Sequence, residues 1–432
     1  MNVLILGLGQ YPKGSGVAAA LHFAKAGDQV IATDLKTEAQ LADNVKQLSR
    51  FKNVRFKLGK HDPKDIAWAH LIVRGPSVRD SSKEMKLARK LGKSVTSDLA
   101  LFLEACPCLV IGITGTRGKS TTTAMIHEVL SASKKWRKVW LGGNILISPL
   151  TFLAQVKSKD LVVLEMSSFQ LEGTGDAGIS PHIAVWTNLM CDHLNMYPSM
   201  AEYAEAKAQI FRHQDADDVV FFPADKSFNV YTKEAPSEVV RVKKSSIVLS
   251  IPGEHNQMNA SFAAAVAKEL GVSASKIKSA LKAFKGLPNR IETIATKGGL
   301  TFVNDTTATT PDGTIAALNS YPAKNDRLIH LIFGGADKEL DFTEVTKLLK
   351  KRKDVGVYLL AGTAHKKIEI QFKKSGIHYA DFENFDAVFS KLKEMTEKGD
   401  IVLLSPGCAS FGLFKNEFHR GEEFVKLVKK WK

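Results

Sequence analysis

The sequence predicts an α/β fold made of three domains, each with a parallel sheet and flanking helices. Its 432 residues are too many for one ordinary hydrophobic core. Three times along the chain, a short apolar run leads through a glycine turn into a stretch of helical periodicity. Such alternation of strands and helices favours parallel sheets with helices on both faces. The predicted domains cover residues 1–105, 106–288 and 289–432.

The first predicted domain is Rossmann-like. Its glycine turn, GLGQYPKGSG over residues 7–16, follows an apolar strand and runs into a helix predicted over 15–26. The turn departs from the GxGxxG pattern of dinucleotide sites. This departure weakens the interpretation as an NAD-dependent oxidoreductase with Asp34 on the ribose, but leaves it open. The predicted strands of this domain cover residues 3–6, 29–33, 71–73 and 94–96.

The second domain contains the most specific single element, a strand, turn and helix of the P-loop ATPase type. The apolar run 109–114 leads into GTRGKS and then into a helix predicted over 121–130. In such a turn, backbone N–H groups bind phosphate, a lysine neutralises it and a hydroxyl holds Mg²⁺. One glycine of the strict spacing is missing, since Ile113 occupies its position. The predicted ATP ligands here are Gly115, Thr116, Gly118, Lys119, Ser120 and Thr121.

Polar residues gather where predicted strands end. Glu165 directly follows the apolar run 161–164 and offers the oxygen ligand that Mg²⁺ prefers. In open parallel sheets, binding and catalytic groups lie in loops at the carboxyl ends of strands. The same arrangement indicates a site in the third domain, which is also Rossmann-like. Its predicted strands begin near 300 and cover 328–333, 356–360 and 401–404, with polar clusters at 304–310, 334–338 and 405–410.

Composition argues against several classes of protein. No apolar run approaches the length needed to span a bilayer. The apolar N-terminus lacks the basic region of a signal peptide, so we expect it to form a buried first strand. The four cysteines are few and scattered, which supports neither a disulfide framework nor a zinc site. Cys106 and Cys108 are expected to be a reduced thiol pair at a domain junction.

The formal net charge of +15 raises the question of nucleic acid. The lysines and arginines are spread along the whole chain, without a basic stripe interleaved with aromatic residues. A positive field also suits a polyanionic small substrate together with ATP. A non-catalytic nucleotide-binding protein with a regulatory or nucleic-acid role therefore stands as the alternative of a different class.

Several motifs together resemble those of one family. They are TGTRGKSTT at 114–122, GGN at 142–144, LEMSSFQLE at 164–172, the run 187–211, GEHNQMNASFAAA at 253–265, NDTTATTPDGT at 304–314, FGGADK at 333–338 and LLSPGCASFGLFKN at 403–416. In this order, over essentially the whole chain, they are similar to the motifs of the Mur ligases. LEMSSFQLE and the SPGCASF element resemble the members of the family that add D-glutamate.

The resemblance implies an ATP-dependent, ADP-forming ligase of peptidoglycan synthesis that joins D-glutamate to UDP-N-acetylmuramoyl-L-alanine. ATP would phosphorylate a substrate carboxylate, and the amine of glutamate would attack the resulting acyl phosphate. Because no protein nucleophile is needed, catalysis would depend on positioning and charge neutralisation. We expect a cytoplasmic monomer that needs ATP and two Mg²⁺ ions. The implied metal ligands are Ser120, Glu165, His193 and a carbamylated Lys207.

The other implied residues are carried over from matching motifs. The catalytic group is Lys119, His193, Lys207 and Lys338. The ATP site is completed by Asn256, Asn259, Arg290 and Asp305. The UDP-sugar end is held by Gly9, Asp34, Lys36, Ser77 and Asn144. The incoming glutamate meets Thr309, Lys338, Ser410 and Phe411.

Alternatives remain at several of these positions. Outside the family, Lys207 would be a solvated lysine of a helix predicted over 200–213, and Ser410 would be a helix N-cap. Thr307 stands where many members have lysine, and Glu417 stands where an aromatic residue often closes over the glutamate. An enzyme that prefers L-glutamate and another Mur-type amide ligase are therefore the alternatives within the family.

Overall fold

Three sheets with flanking helices make up the protein. This arrangement confirms the predicted α/β class. No helix of the described part of the chain is long and apolar enough to cross a membrane. The computed structural model describes residues 1–145, 147–192, 196–324 and 326–431.

The chain forms two compact units. Unit 1 consists of Met1–Val248 and Gln257–Ala283 and contains the first two sheets. Unit 2 consists of Leu249–Asn256 and Phe284–Lys432 and contains the third sheet. The domain boundaries predicted after residues 105 and 288 stay predictions.

The first sheet belongs to the N-terminal part of unit 1. Its strands are β1 (Asn2–Leu6), β2 (Gln29–Asp34), β3 (Val54–Leu58), β4 (Leu71–Arg74) and β5 (Ser94–Thr96). Its helices are α1 (Ser15–Lys25), α2 (Ala42–Leu48), α3 (Pro63–Trp68), α4 (Lys83–Lys90) and α5 (Asp98–Ala105). All five strands are parallel, in the order β3-β2-β1-β4-β5. The winding reverses between β1 and β4, and a crevice opens at the carboxyl ends of strands at such a point.

The second sheet has six parallel strands. They are β6 (Val110–Thr114), β7 (Val139–Gly143), β8 (Leu161–Glu165), β9 (Ile183–Trp186), β10 (Val219–Pro223) and β11 (Glu238–Val242). The helices that follow them are α6 (Lys119–Ser133), α7 (Ser168–Asp176), α8 (Met200–Ala208), α9 (Asn229–Glu234), α10 (His255–Glu269) and α11 (Ala274–Ala283). The order is β11-β10-β9-β6-β8-β7, which places the fully buried β6 between β8 and β9.

The third sheet also has six strands. They are β12 (Glu292–Lys297), β13 (Leu300–Asn304), β14 (Ile329–Gly334), β15 (Val355–Leu360), β16 (Tyr379–Phe382) and β17 (Ile401–Leu404). The helices are α12 (Pro311–Asn319), α13 (Thr343–Lys351), α14 (His365–Ser375), α15 (Phe385–Met395) and α16 (Glu417–Lys430). In the order β12-β13-β17-β14-β15-β16, the last strand of the chain lies between β13 and β14. The loops that follow these three strands therefore share one edge of the sheet.

One edge strand departs from the prediction of parallel sheets. β12 was missed by the sequence patterns, and it pairs antiparallel with β13. Gly298 and Gly299, with φ of 60° and 83°, join the two strands. A two-residue glycine loop forms a hairpin, and the strands of a hairpin are antiparallel. An antiparallel edge on an otherwise parallel sheet is common in α/β folds.

Three predicted helices have different limits in the structure. α6 begins at Lys119, before the predicted start at 121, because Gly118 with φ of 77° is its N-cap. The apolar pattern of the sequence predicts a helix over about 259–270, and α10 begins four residues earlier, at His255. α8 ends at Ala208, well before residue 213. Backbone hydrogen bonds of turns, such as the one from Ile210 N to Lys207 O at 3.1 Å, end that helix early.

Candidate active site

The phosphate-binding turn leaves the carboxyl end of β6. Gly115 and Gly118 both have positive φ, of 148° and 77°. A Cβ on Gly115 would lie 2.0 Å from Thr187 Oγ1, and a Cβ on Gly118 would lie 2.5 Å from Asn259 Oδ1. Only glycine fits these two positions, so the backbone can wrap closely around a phosphate. α6 starts directly after the turn, and the first N–H groups of a helix lack partners within it.

A loop from the neighbouring strand fixes the shape of this turn. Asn188 follows β9, and its Oδ1 accepts hydrogen bonds from Thr116 N at 3.1 Å and Arg117 N at 2.8 Å. Asn188 Nδ2 and Thr187 Oγ1 both donate to Arg117 O, at 3.0 and 2.8 Å. In the sequence, Asn188 falls within the run 187–211 of the family motifs, without a role of its own. Its position directly after the strand beside the phosphate strand was the available signal.

Two lysine amines contact one carbonyl of the turn. Lys119 Nζ donates to Gly115 O at 3.0 Å and to Thr116 O at 3.1 Å. Lys207 Nζ, from α8, donates to Gly115 O at 2.9 Å and lies 4.5 Å from the centre of the Tyr203 ring. Lys207 is 1% exposed, so its interpretation as a solvated helix lysine is wrong. Burial, and after it the charge of Lys119, lower the pKa of Lys207 to about 6, although Asp192 and Glu165 oppose the shift.

Glu165 ends β8 in a buried position beside Asn144. Its Oε1 accepts a hydrogen bond from Asn144 Nδ2 at 3.0 Å, and its carbonyl accepts one from Asn144 N at 2.8 Å. Gly143 allows this approach, because a Cβ there would lie 2.1 Å from Glu165 O. Glu165 Oε2 is buried and has no hydrogen-bond partner among the described residues. A buried carboxylate oxygen without a partner is costly, and it suits a cation ligand.

The structure describes three of the four predicted metal ligands, Ser120, Glu165 and Lys207. No group of three or more His, Cys, Asp or Glu side chains within the described ranges could hold a metal ion. A Mg²⁺ site here would therefore combine few protein oxygens, from Glu165 and Ser120, with phosphate and water, as is usual for Mg²⁺. His193 lies outside the described residues. The predicted metal-binding roles stay predictions.

A cavity of about 290 Å³ lies at the reversal point of the first sheet. Of the residues predicted for the UDP-sugar end, Gly9, Lys36, Ser77 and Asn144 line it. Asp34 does not line it. Its carboxylate accepts hydrogen bonds from Gly9 N at 2.8 Å and Lys36 N at 2.9 Å, and so it shapes the wall of the cavity. The predicted contacts with the substrate stay predictions.

Asp98, which the sequence patterns did not single out, lies behind this cavity. It is the first residue of α5 and is fully buried. Its Oδ2 accepts a hydrogen bond from Ser148 Oγ at 2.6 Å, and Ser15 Oγ also bonds to the carboxylate. Ser148 N donates to Lys13 O at 2.8 Å. Asp98 thus ties the glycine turn of the first sheet to the segment that follows β7, and burial raises its pKa.

The two residues of the predicted adenine-side pair belong to different units. Asn259, in unit 1, accepts a hydrogen bond from Thr122 Oγ1 at 3.2 Å and packs against Gly118. Asn256, in unit 2, donates from Nδ2 to Pro252 O at 2.6 Å. Asn259 therefore supports the start of α6 directly. The contact of either amide with adenine stays a prediction.

In unit 2, Asp305 is a buried carboxylate at the end of β13. Its Oδ1 accepts a hydrogen bond from Ile291 N at 3.1 Å, and its Oδ2 accepts one from Ser405 Oγ at 2.8 Å. Burial raises the pKa of Asp305 to about 7, while these hydrogen bonds and the charges of Arg290 and Arg420 oppose the rise. Arg290 is exposed to solvent. The predicted nucleotide contacts of Arg290 and Asp305 stay predictions.

The residues predicted for glutamate lie in loops at one edge of the third sheet. The loops after β14 and β17 pair through Ala336 and Ala409, with N–O distances of 2.9 and 3.2 Å. This pairing brings Lys338 Nζ to 5.4 Å from the ring centre of Phe411, which is 58% exposed. Ser410 is buried beside it. Thr309 is half-buried in the loop after β13. The binding roles of these four residues stay predictions.

The interpretation of Ser410 as a helix N-cap is wrong. α16 begins at Glu417, and its N-cap is Asn416, whose Oδ1 accepts a hydrogen bond from His419 N at 2.8 Å. Ser410 lies six residues before Asn416, and its carbonyl accepts a hydrogen bond from Phe414 N at 3.1 Å in a turn. The Ser410 side chain is therefore not used to cap a helix.

Arg420 holds two loops of unit 2 together through hydrogen bonds. The sequence patterns did not identify this residue. It is 1% exposed on α16. Its guanidinium donates to Thr306 Oγ1 at 3.0 Å, Thr306 O at 2.8 Å and Cys408 O at 3.1 Å. The loops after β13 and β17 are thereby held to one side chain. A Cβ on the next residue, Gly421, would lie 2.5 Å from Asn289 Oδ1.

Two family models match the chain. One, described as the Mur ligase middle domain, covers residues 113–248. The other, described as the Mur ligase, glutamate ligase domain, covers residues 289–408. The first includes the phosphate turn, Glu165 and Lys207, and the second includes Asp305, Thr309 and Lys338.

Similar proteins extend over nearly the full chain. A UDP-N-acetylmuramoylalanine–D-glutamate ligase of Roseiflexus sp. (strain RS-1) is 34% identical over 99% of this chain and 98% of its own length. The enzyme of the same name from Borreliella afzelii (strain PKo) is 36% identical over 99% of this chain and 97% of its own length.

Solved structures share the fold. UDP-N-acetylmuramate-alanine ligase MurC from Thermotoga maritima has a TM-score of 0.60 at 21% identity, covering 100% of this chain and 99% of its own. MurF from the same organism, in complex with ADP, has a TM-score of 0.60 at 19% identity, covering 93% of this chain and 94% of its own. MurF from Acinetobacter baumannii has a TM-score of 0.63 at 18% identity, covering 99% and 93%.

The close packing of Gly118 predicts the behaviour of Gly118→Ala. The new Cβ would clash with Asn259 Oδ1 at 2.5 Å, so we expect nucleotide affinity to fall at least about tenfold, or about 1.4 kcal/mol. Gly178→Ala is the matched control, since its φ is +67° but nothing lies within 4 Å of its Cβ. Both variants carry similar left-handed strain. Calorimetric titration with ADP measures the affinity, and equal affinities of the two variants would contradict the assignment of this turn.

The buried carboxylate of Asp305 predicts a pH dependence of stability. Its folded pKa of about 7 lies above the unfolded value of about 3.9, so the folded state binds the proton more tightly. The free energy of unfolding should therefore fall as pH rises from about 4 to about 7, by about 1.4 kcal/mol per unit of pKa difference.

Asp305→Asn should flatten this dependence, while the exposed Asp386→Asn should keep the wild-type slope. Urea unfolding of the three proteins at several pH values, followed by circular dichroism, measures the difference. A slope that is unchanged in Asp305→Asn would show that another group produces it.

Proposed function

This chain belongs to the Mur ligase family, and on that premise we propose that it joins D-glutamate to UDP-N-acetylmuramoyl-L-alanine with ATP, in peptidoglycan synthesis. Two relatives that carry this activity in their names are 34% and 36% identical over nearly the whole chain. The chemistry is an ADP-forming amide ligation through an acyl phosphate. A cytoplasmic location and a monomeric state stay predictions.

The observation that supports the proposal most directly is the arrangement around the phosphate turn. Gly115 O accepts hydrogen bonds from Lys119 Nζ and Lys207 Nζ, and the turn opens at the carboxyl edge of the second sheet. In the same unit, the cavity of the first sheet is lined by Asn144, which also bonds to Glu165. A diphosphate-linked substrate in the cavity and a nucleotide at the turn would share these residues.

Phosphoryl transfer needs charge neutralisation and positioning, with little covalent chemistry from the protein. We assign Lys119 to the transferred phosphoryl group, because its amine already lies on two carbonyls of the turn and needs only to rotate toward a phosphate. The backbone N–H groups of Gly118 and Ser120 would bind the remaining oxygens. The amine of the incoming amino acid then attacks the acyl phosphate, and inorganic phosphate leaves.

Glu165 and the hydroxyl of Ser120 would hold a Mg²⁺ ion. Within the described ranges, Oε2 of Glu165 is buried without a hydrogen-bond partner, which fits such a ligand. Ser120 lies in the first turn of α6, beside the phosphate turn. When bound, Mg²⁺ neutralises phosphate charge in such sites. Two asparagines position these groups. Asn144 donates a hydrogen bond to the other carboxylate oxygen of Glu165, and Asn188 accepts one from the backbone of the phosphate turn.

Lys207 would carry a carbamate. A neutral amine adds to CO₂ with release of one proton and becomes a carboxylate on a long arm. Burial and the charge of Lys119 favour the neutral amine, because they lower the pKa of Lys207 to about 6. The anionic product would balance the positive charge of Lys119 and offer an oxygen to a second Mg²⁺. Such use of a buried lysine follows from its shifted pKa.

For the incoming amino acid we assign Lys338, with Thr309 and Ser410 as hydrogen-bond donors and Phe411 as an apolar wall. Lys338 is exposed at the end of β14, where an ammonium can bind a carboxylate. The preference for D- over L-glutamate rests on the names of the relatives. An L-glutamate-specific enzyme is the second candidate, because Glu417 replaces an aromatic residue at the position expected to close over the substrate.

The function predicts phosphate release from ATP that requires Mg²⁺, UDP-N-acetylmuramoyl-L-alanine and glutamate together. D-Glutamate should support turnover well above L-glutamate. Lys119→Ala should lower kcat by about 10² or more, since it removes a charge aimed at the transferred group. Lys226→Ala, at an exposed position of the same unit, should leave kcat unchanged.

A coupled phosphate assay distinguishes the candidate functions. Turnover with L-glutamate alone would replace the first proposal with the second. Absence of phosphate release with both isomers, in folded protein that binds ATP, would overturn both and leave a nucleotide-binding protein. Full activity of Lys119→Ala would refute the assigned ATP site.

The carbamate predicts chemical rescue of Lys207→Ala. The variant should lose activity, because it lacks the anionic ligand, and short carboxylic acids should restore part of the rate. Lys119→Ala, which lacks a cation, should stay inactive in the same acids. Failure of every acid chain length to restore activity, in a folded Lys207→Ala protein, would rule out a carboxylate at this position.

A further inference from the structure

The segment between α5 and β6 contains two cysteines that the proposed reaction does not use. Cys106 caps the C-terminus of α5, and Cys108 lies two residues before β6. Their sulfur atoms are 3.7 Å apart, and Cys106 Sγ also lies 3.6 Å from Cys108 O. Two thiols at this distance, separated by one proline, form a preassembled dithiol.

The two thiols differ in exposure and in acidity. Cys106 is half-buried at the edge of the hydrophobic core of unit 1, whereas Cys108 is 7% exposed within it. The hydrogen bond between the two thiols lowers the pKa of Cys106 to about 7, and the same bond, with burial, raises the pKa of Cys108. An accessible thiolate beside a second thiol is the arrangement of thiols that oxidise reversibly.

We propose that Cys106 and Cys108 form a thiol–disulfide exchange site, at which a low-molecular-weight disulfide oxidises the pair to an intramolecular disulfide. A metal site is the weaker interpretation, because no group of three potential ligands occurs in the described ranges. The proposal is independent of the ligase function and concerns only the reactivity of this segment.

The exchange proceeds in two balanced steps. The Cys106 thiolate attacks one sulfur of the disulfide RSSR, forms a mixed disulfide and releases RS⁻. Cys108 loses its proton to solvent, and its thiolate attacks the Cys106 sulfur and displaces the second RS⁻. Two protein thiols are oxidised, and one disulfide is reduced to two thiols. For the disulfide to form, the two sulfur atoms must approach from 3.7 Å to about 2.05 Å.

The segment connects two parts of the substrate-binding unit. α5 begins with Asp98, which holds Ser148 behind the cavity, and β6 leads into the phosphate turn. The ring closed by a Cys-Pro-Cys disulfide is small and strained, and strained disulfides are reduced readily. The oxidised pair should therefore return to thiols under mild reductants.

The chain contains its own controls. Cys191 is exposed and Cys408 is buried, and in the part of the chain that the structure describes no sulfur–sulfur contact involves either. Cys191 can accept a mixed disulfide but has no neighbouring thiol to resolve it. Cys408 is shielded from reagent. The pair and the single thiol can thus be compared in one molecule.

The test treats the reduced full-length protein with glutathione disulfide and locates the products by intact mass and peptide mapping. The peptide with Cys106 and Cys108 should lose about 2 Da, the two thiol hydrogens. Cys191 should instead retain one glutathione, and Cys408 should stay unmodified. Mild dithiothreitol should reverse both changes.

Two variants identify the order of the steps. Cys108→Ser should trap glutathione on Cys106, because the resolving thiol is absent. Cys106→Ser should leave Cys108 as a thiol, because the attacking thiolate is absent. Thermal unfolding of both variants, compared with wild type, checks that the fold is intact.

Three results would overturn the proposal. One is a stable glutathione adduct on Cys106 in the wild-type protein, which would mean that Cys108 cannot reach it. Another is unmodified Cys106 under conditions that fully modify Cys191. The third is oxidation of Cys108 in Cys106→Ser, which would mean that Cys108 reacts without Cys106.

Discussion

Two lysine amines from distant parts of the chain meet at one backbone oxygen, Gly115 O, and the candidate site is organised around this meeting. Two ammonium groups so close would repel each other in a buried position. Burial and the charge of Lys119 lower the pKa of Lys207 to about 6, which favours the neutral form of the deeper amine. A neutral, nucleophilic amine at Lys207 beside a charged amine at Lys119 would suit two different tasks.

Close approach of backbone segments makes this arrangement possible. A Cβ at Gly115, Gly118 or Gly143 would lie 2.0 to 2.5 Å from atoms of Thr187, Asn259 or Glu165. In each case, a glycine lets a loop from one strand lie against a side chain or carbonyl from another. The same holds in unit 2, where Gly421 allows α16 to lie against Asn289 and Arg420 ties together the loops after β13 and β17.

The departures from the family pattern have structural explanations in part. Thr307, at a position where many members have lysine, donates from Oγ1 to Asn289 O at 2.8 Å and so helps to hold the segment that precedes β12. Thr306 Oγ1 donates to Glu417 O at 2.8 Å, which anchors the first turn of α16 through backbone. This contact uses the carbonyl of Glu417 and does not involve its side chain.

The sequence by itself determined the α/β class, the strand that leads into the phosphate turn and the turn's glycines and lysine. These features are local, because alternating apolar runs, glycine turns and helical periodicity each act within about 20 residues. Only the tertiary structure decided that Lys207 is buried, that Asp34 shapes a wall of the cavity, that Asp98 meets Ser148 and that Arg420 braces two loops. Each of these depends on contacts between residues far apart in the chain, and burial or hydrogen bonding across such separations leaves no periodic signal. The hairpin of β12 was missed although its Gly298-Gly299 turn is local, since a glycine pair indicates a turn without identifying the strand before it.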